Sequence, residues 1–241
     1  MKRDYSISIA IATYNGEKYI KEQIDSILKQ LNSDDEIIIS DDGSSDNTIK
    51  IIKSINDKRI KVFDGPHNGV KQNFANAISK CSGEYIFLSD QDDVWMDNKV
   101  EVVLKNFDKE NLSCIVHDCI VFDSNTNEEI EKSFYKIRNS KEGIIKNICK
   151  NSYIGCCMIF KKEIIEKILP IPNNIEMHDQ WIGIICEKYG KSKFINDKLI
   201  KYRRHGNNVS KMHHHPFFTM IKNRIVFVNE LLRRMKICNK K

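Results

Sequence analysis

The chain has 241 residues, a mass of 28.1 kDa and a formal net charge of +6, with 41% hydrophobic and 30% charged residues. That make-up suits one folded unit with a sizeable core, and it excludes a disordered chain or one that binds nucleic acid through charge. No run approaches the roughly 18 apolar residues of a membrane span, and MKRDYSISIAIATYN turns polar too soon for a signal peptide, so the cytosol is the expected location.

SISIAIA (6–12) predicts a first strand, after which Ile20, Ile24, Ile27, Leu28 and Leu31 share one helical face. EIIIS (36–40) predicts a second strand. The next helix takes Ser45 or Asp46 as its N-cap and turns Ile49, Ile52 and Ile55 inward. RIKVF (59–63) and YIFLS (85–89) supply two more strands around a helix carrying Phe74, Ala75 and Ile78. Alternation at this spacing implies βαβ units, hence a mostly parallel sheet with helices on both faces.

The second half is less regular. A helix is expected over 100–107, a strand over 113–122, and a strand at 156–160 leading into a helix at 161–169. Residues 123–150 are polar with weak periodicity and read as a mobile loop or lid. DQWIGIICEKYG reads as a helix, KFINDKLIKYRRH as a strand or hairpin, and the stretch from Pro216 as one amphipathic helix. The eight cysteines show no CxxC pair and sit mostly among apolar neighbours, so reduced, buried thiols are expected.

In a parallel α/β sheet, ligands bind outside the carboxyl ends of the strands. Here those ends read Thr13-Tyr14-Asn15-Gly16, Asp41-Asp42-Gly43-Ser44, His67-Asn68-Gly69 and Asp90-Gln91-Asp92-Asp93. Four successive ends thus deliver short polar side chains and glycines to one edge. Like charges ~4 Å apart repel by ~4 kcal/mol at an effective dielectric near 20, so the crowded aspartates call for a cation, a shifted pKa or full solvation. No GxGxxG follows the first strand, which removes the main dinucleotide signature. Gly190-Lys191-Ser192 follows a helix, and Ile185 stands where a P-loop needs glycine. Carboxylates, amides and one aromatic suit a base and ribose, with Mg²⁺ or Mn²⁺ holding a diphosphate.

The pattern resembles the family 2 glycosyltransferases, with their nucleotide-sugar-binding GT-A fold. SIAIATYNGEKYI is similar to the family's opening strand and loop, SDDGSSDNT to its second motif, EYIFLSDQDD to its metal-binding DxD, HDQW to its catalytic-base segment and YRRHGNNVS to a late motif of bacterial members. The form SDQDDVW looks most like the rhamnosyltransferase-like branch that builds bacterial surface polysaccharides. The resemblance implies that residues 1–215 form the transferase domain, with a nucleotide-binding half over 1–95 and an acceptor half over 96–215, followed by a helical extension over 216–241.

It also implies roles. Thr13, Tyr14 and Asn15 would line the base pocket, Asp41 would accept from the base with Asp42 beside it, and Asn68 and Gly69 would border base or ribose. Asp90 would reach the ribose or the metal. Asp92 would be the principal metal ligand, His205 a further metal or diphosphate contact, and Arg203 a phosphate contact. Asp179 would be the general base of a single inverting displacement, with His178 standing where many relatives carry a second acid. Trp95 and Trp181 divide evenly between core packing and an acceptor wall.

The expected activity is transfer from a UDP- or dTDP-sugar, dTDP-rhamnose favoured, to a glycan or lipid-linked saccharide. The C-terminal helix allows peripheral membrane contact. The rivals are a sugar-phosphate nucleotidyltransferase and a non-catalytic sugar-nucleotide-binding module. Each aspartate could instead cap a turn or helix, and His213-His214-His215 has no trusted ligand spacing.

Overall fold

The computed structural model of the chain describes residues 3–206 and 216–238, apart from the side chain of Phe217. The first half runs β1 (Ile7–Thr13), α1 (Ile20–Leu28), β2 (Glu36–Asp41), α2 (Thr48–Ser54), β3 (Ile60–Asp64), α3 (Gly69–Lys80), β4 (Tyr85–Ser89) and the short β5 (Val94–Trp95). The second half runs α4 (Lys99–Lys109), β6 (Cys114–Asp123), β7 (Glu129–Glu131), α5 (Phe134–Arg138), α6 (Ile144–Cys149), β8 (Met158–Lys161), α7 (Ile165–Ile168), α8 (His178–Tyr189), β9 (Ser192–Arg204) and α9 (Phe217–Cys238).

Ile7, Ile9 and Ile11 of β1 and Ile37 and Ile39 of β2 are fully buried, and so are Ala10 and Ile38 on the opposite pleats. Apolar side chains on both faces need cover on both faces, which is what a parallel sheet between helices provides. From α1, Ile20, Ile24 and Ile27 supply part of that cover. Strands β1 to β4 pair in parallel in the order β3-β2-β1-β4. The sheet then continues β8-β6-β9-β5, with β8 antiparallel to both β4 and β6, and β6 parallel to β9. Two reversals cancel, so β9 runs in the same direction as β1. Its carboxyl end, with Arg203 and His205, therefore arrives at the edge that β1, β2 and β4 already serve.

One expectation about the secondary-structure elements needs correction. The stretch 123–150 is not a bare loop but holds β7, α5 and α6. Buried Asp118 organises it: Oδ1 accepts from Cys119 N and Tyr135 N at 2.8 and 3.0 Å, and Oδ2 accepts from Ser133 Oγ at 2.5 Å. Helices of five and six residues are too short to leave a period in the sequence. Of the two readings of the tract after α8, strand or hairpin, the structure has the strand, 13 residues long and bulged. The N-cap of α2 is Asn47, neither Ser45 nor Asp46; Asp46, one residue ahead, accepts from Thr48 N at 2.9 Å, while Ser45 N donates to Asn15.

Helix α9 lies on α8, with Phe227 edge-on to Trp181 at a centroid distance of 6.0 Å. Arg234 from the same helix donates to the carbonyls of Leu169 and Pro170. Among the described residues no helix is long and apolar enough to cross a membrane.

Candidate active site

The first two strand ends are laced together by their own polar groups. Asn15, in the left-handed region at φ 48, donates from its backbone to Ser44 Oγ and accepts from Ser45 N at 2.8 Å. Thr13 Oγ1 donates to Asp41 Oδ1 at 3.0 Å. Asp41 also accepts from Ser44 Oγ at 2.5 Å and, on Oδ2, from the backbone of Gly43 and Ser44. Both oxygens of Asp41 are thus engaged in shaping the turn. Asp42 ties the turn to α3, accepting from Asn68 N at 3.3 Å and Gly69 N at 2.8 Å. Gly69 sits at φ +77, which favours glycine. Tyr14 is 57% exposed and offers an open ring face at this edge.

Gln91, between the two aspartates of the DxD, was not singled out from the sequence. Its side-chain amide clamps Tyr14 from both sides, accepting from the backbone N at 3.0 Å and donating to the carbonyl at 3.1 Å. A Cβ on Gly16 would lie 2.4 Å from Gln91 Oε1, so a larger residue there would push aside the amide that holds Tyr14.

The acidic cluster divides by environment. Asp93 is buried, and its Oδ1 accepts from Arg203 N at 3.0 Å while its Oδ2 has no hydrogen-bond partner. Burial pushes its pKa well above the usual range, with the charges of Asp92 and Asp90 adding to the effect. Asp90 is raised to about 7 by burial, then by the Asp92 charge, with a contribution from Asp179. Ligand atoms of Asp90, Asp93 and Cys156 all lie within 4.8 Å of one another, close enough to hold a metal ion. Beneath them Lys99 is fully buried, with Nζ donating to Cys156 O at 3.0 Å and standing 4.0 Å from the Trp95 ring centroid.

Asp92 Oδ2 lies 2.7 Å from His205 Nε2, so the end of β4 and the end of β9 do meet. The His205 ring rests against Tyr19 at a centroid distance of 5.1 Å. Arg203 holds this junction from below. Its guanidinium lies between the rings of Tyr19 and Phe122 at 4.6 and 4.7 Å, donates from Nε to Asp92 O and pairs with Glu22 at 2.6 Å. With its side chain only 6% exposed, Arg203 bolts β9 to the DxD turn rather than reaching out to a phosphate.

Asp179 opens α8 and is 8% exposed. Gln180 N and Asn151 Nδ2 donate to its Oδ1 at 2.6 and 3.1 Å, so both bonds fall on one oxygen and Oδ2 is left for another partner. Burial raises its pKa to about 6, partly opposed by those two bonds. His178 points elsewhere, stacked on Phe74 at 4.3 Å, with burial lowering its pKa to about 3. It therefore stays neutral and brings no second acid or charge to Asp179.

The two tryptophans are core residues. Trp181 is wholly buried and donates from Nε1 to Ile168 O at 2.9 Å. Trp95 is 2% exposed and packs on Phe87 at 5.6 Å. Neither presents a face to an acceptor. Asn207, Asn208, Val209 and Ser210 of the late motif, and His213-His214-His215, lie outside the described residues. Asn151 and Glu22 join the site from positions no motif marked, and Tyr19 from within the opening motif without having been singled out.

The family model described as "Glycosyl transferase family 2" matches residues 8–169, from β1 through α7. The chain is 28% identical over 210 residues to the UDP-Glc:alpha-D-GlcNAc-diphosphoundecaprenol beta-1,3-glucosyltransferase WfgD of Escherichia coli, covering 86% of this chain and 80% of that one. It is 29% identical over 215 residues to the dTDP-rhamnosyl transferase RfbG of Shigella flexneri, covering 82% and 72%. The crystal structure of S. aureus TarS 1-349 in complex with UDP-GlcNAc superposes with a TM-score of 0.69 at 18% identity. That match covers 92% of this chain, which in turn spans 66% of the TarS chain. With the matched segment holding both the strand-end loops and the acidic cluster, the chain belongs to glycosyl transferase family 2.

Proposed function

We propose that the protein transfers a sugar from a nucleoside diphosphate donor to a hydroxyl acceptor with inversion, and that Asp179 is the general base. The observation that carries this is the setting of Asp179 at the head of α8: the carboxylate is buried, two donors hold Oδ1, and Oδ2 is left for a proton. Burial sets its pKa near 6. A base tuned near the working pH maximises both its ionised fraction and its pull on the proton. Asp179 Oδ2 would take the acceptor's hydroxyl proton while Asn151 and Gln180 N hold Oδ1. Tyr14 and the Asn15 turn would cradle the base, and Asn68 and Gly69 would border the ribose. Asp41 and Asp42 shape the turn that positions them.

The residues present fit a divalent cation. Ligand atoms of Asp90 and Asp93 converge within 4.8 Å, Asp93 Oδ2 has no partner, and Asp92, bonded to His205, sits in the same turn; hard oxygens of this kind favour Mn²⁺ or Mg²⁺. Burial pushes the pKa of the neighbouring Cys156 thiol up. Asp92, His205 and Asp90 would hold the ion, which when bound offsets the charge developing on the departing nucleoside diphosphate.

For the donor, dTDP-rhamnose is favoured over a UDP-hexose; similarity to RfbG supports the first and similarity to WfgD the second. The acceptor would be a glycan or a lipid-linked saccharide. Incubation with a donor panel and Mn²⁺, reading released nucleoside diphosphate, tests the reading. Release that requires Asp179 supports it, and pyrophosphate release or no release with any donor overturns it.

A further inference from the structure

The inner face of α9 is fully used, through Phe227, Leu231 and Arg234. Its outer face is not. Ile221, Ile225 and Leu232 are 39%, 57% and 50% exposed, and Phe218 at 83% extends the same stripe. At 100° per residue these four fall within about 60° of helix circumference, a narrow apolar ridge. Lys222 and Arg233 are exposed along one side of it, and Lys236 is exposed at its edge, at the angle of Phe218. The one acid of the helix, Glu230, is engaged by Asn174 Nδ2 at 2.8 Å and by Arg233 at 2.9 Å.

We propose that this ridge docks on an anionic lipid bilayer. An apolar stripe beside cations, with no unneutralised acid, is the complement of a negatively charged interface, whereas the basic border would repel a second copy of the same face. The helix is also placed where docking would serve the reaction. Asn223 Nδ2 donates to Glu176 Oε2 at 3.0 Å and Arg224 Nε donates to Cys149 O at 2.9 Å. Glu176 lies three residues ahead of Asp179, and Cys149 two ahead of Asn151. The ridge therefore backs onto both segments that build the base. On the transferase reading, it would bring a lipid-linked acceptor to Asp179. Residues 216–241 would then be a membrane-facing extension of the transferase domain at 1–215.

The test is co-sedimentation of the full chain with phosphatidylcholine vesicles and with mixed phosphatidylcholine–phosphatidylglycerol vesicles. Binding should prefer the mixed vesicles and weaken with added salt. Ile225→Asp with Leu232→Asp should cut it by about tenfold or more, given what burying two such side chains is worth. Lys222→Gln with Lys236→Gln should abolish the preference for anionic lipid. A donor-induced rise in melting temperature, kept in all variants, shows that they fold and checks the transferase reading separately. Equal or absent binding to both vesicles overturns the proposal, as does a dimer in solution that Ile225→Asp dissociates.

Discussion

Asn151 Nδ2 donates to Asp179 Oδ1 at 3.1 Å while Asn151 Oδ1 accepts from Tyr153 N at 3.0 Å. A side chain fixed at both ends thus orients the base, and it joins the segment after α6 to the first turn of α8. Its bond to the carboxylate favours the charged form. Asn151→Ala should lower kcat by about tenfold, a typical cost for removing a partner that orients a reactive group. The acid limb of the pH profile should move upward. An unmoved limb would show that Asn151 only supports the loop.

Asp179 itself should set that limb. Its folded pKa is raised to about 6, and only the ionised form can accept a proton. Activity with saturating donor and metal should therefore fall as pH drops through about 6 and level off above it. Asp179→Asn should cost roughly 10²–10⁴-fold in turnover with little change in donor-induced thermal shift. A variant that keeps turnover would remove the base assignment.

Asp92→Ala should leave the fold intact, because the turn it sits in is held by Gln91 and by the Asp93–Arg203 bond. Loss of several kcal/mol of charge stabilisation corresponds to more than a hundredfold in rate. The Mn²⁺-dependent part of nucleotide binding should vanish with it, as read by calorimetry. Near-normal turnover would refute the metal role.

Trp181 separates core from acceptor wall. As a wholly buried side chain with its N–H satisfied, it should cost about 3–5 kcal/mol of stability on replacement by alanine, measured by urea unfolding. Trp181→Phe should keep donor and acceptor KM unchanged. A shift in acceptor KM without loss of stability would restore the acceptor reading.

His178→Phe should leave the pH profile where it is. Both ring nitrogens are buried without partners and the ring is stacked on Phe74, so an apolar ring of similar shape removes an unsatisfied polar cost of about 1–3 kcal/mol. A displaced limb would mean that the imidazole charges beside Asp179.

Much of this protein was legible in its residues alone. Runs such as ISIAIAT and YIFLS are apolar on both pleats, so they dictate a sheet covered on both faces. Helix periods between them force parallel pairing, and parallel pairing puts Thr13, Asp41, Asn68 and Asp90 at one edge. Those are local patterns, and local propensity carries them. Whether a polar side chain at that edge faces a ligand or its own backbone is a different question, settled by neighbours far away in the chain. Asp41 spends both oxygens on its turn, Arg203 is sandwiched between Tyr19 and Phe122, and Trp95 and Trp181 disappear into the core. Asp179 becomes a tuned base only because burial and Asn151 surround it. Sequence patterns report the period of an element, whereas burial and hydrogen-bond saturation depend on long-range contacts that only the packed chain brings about.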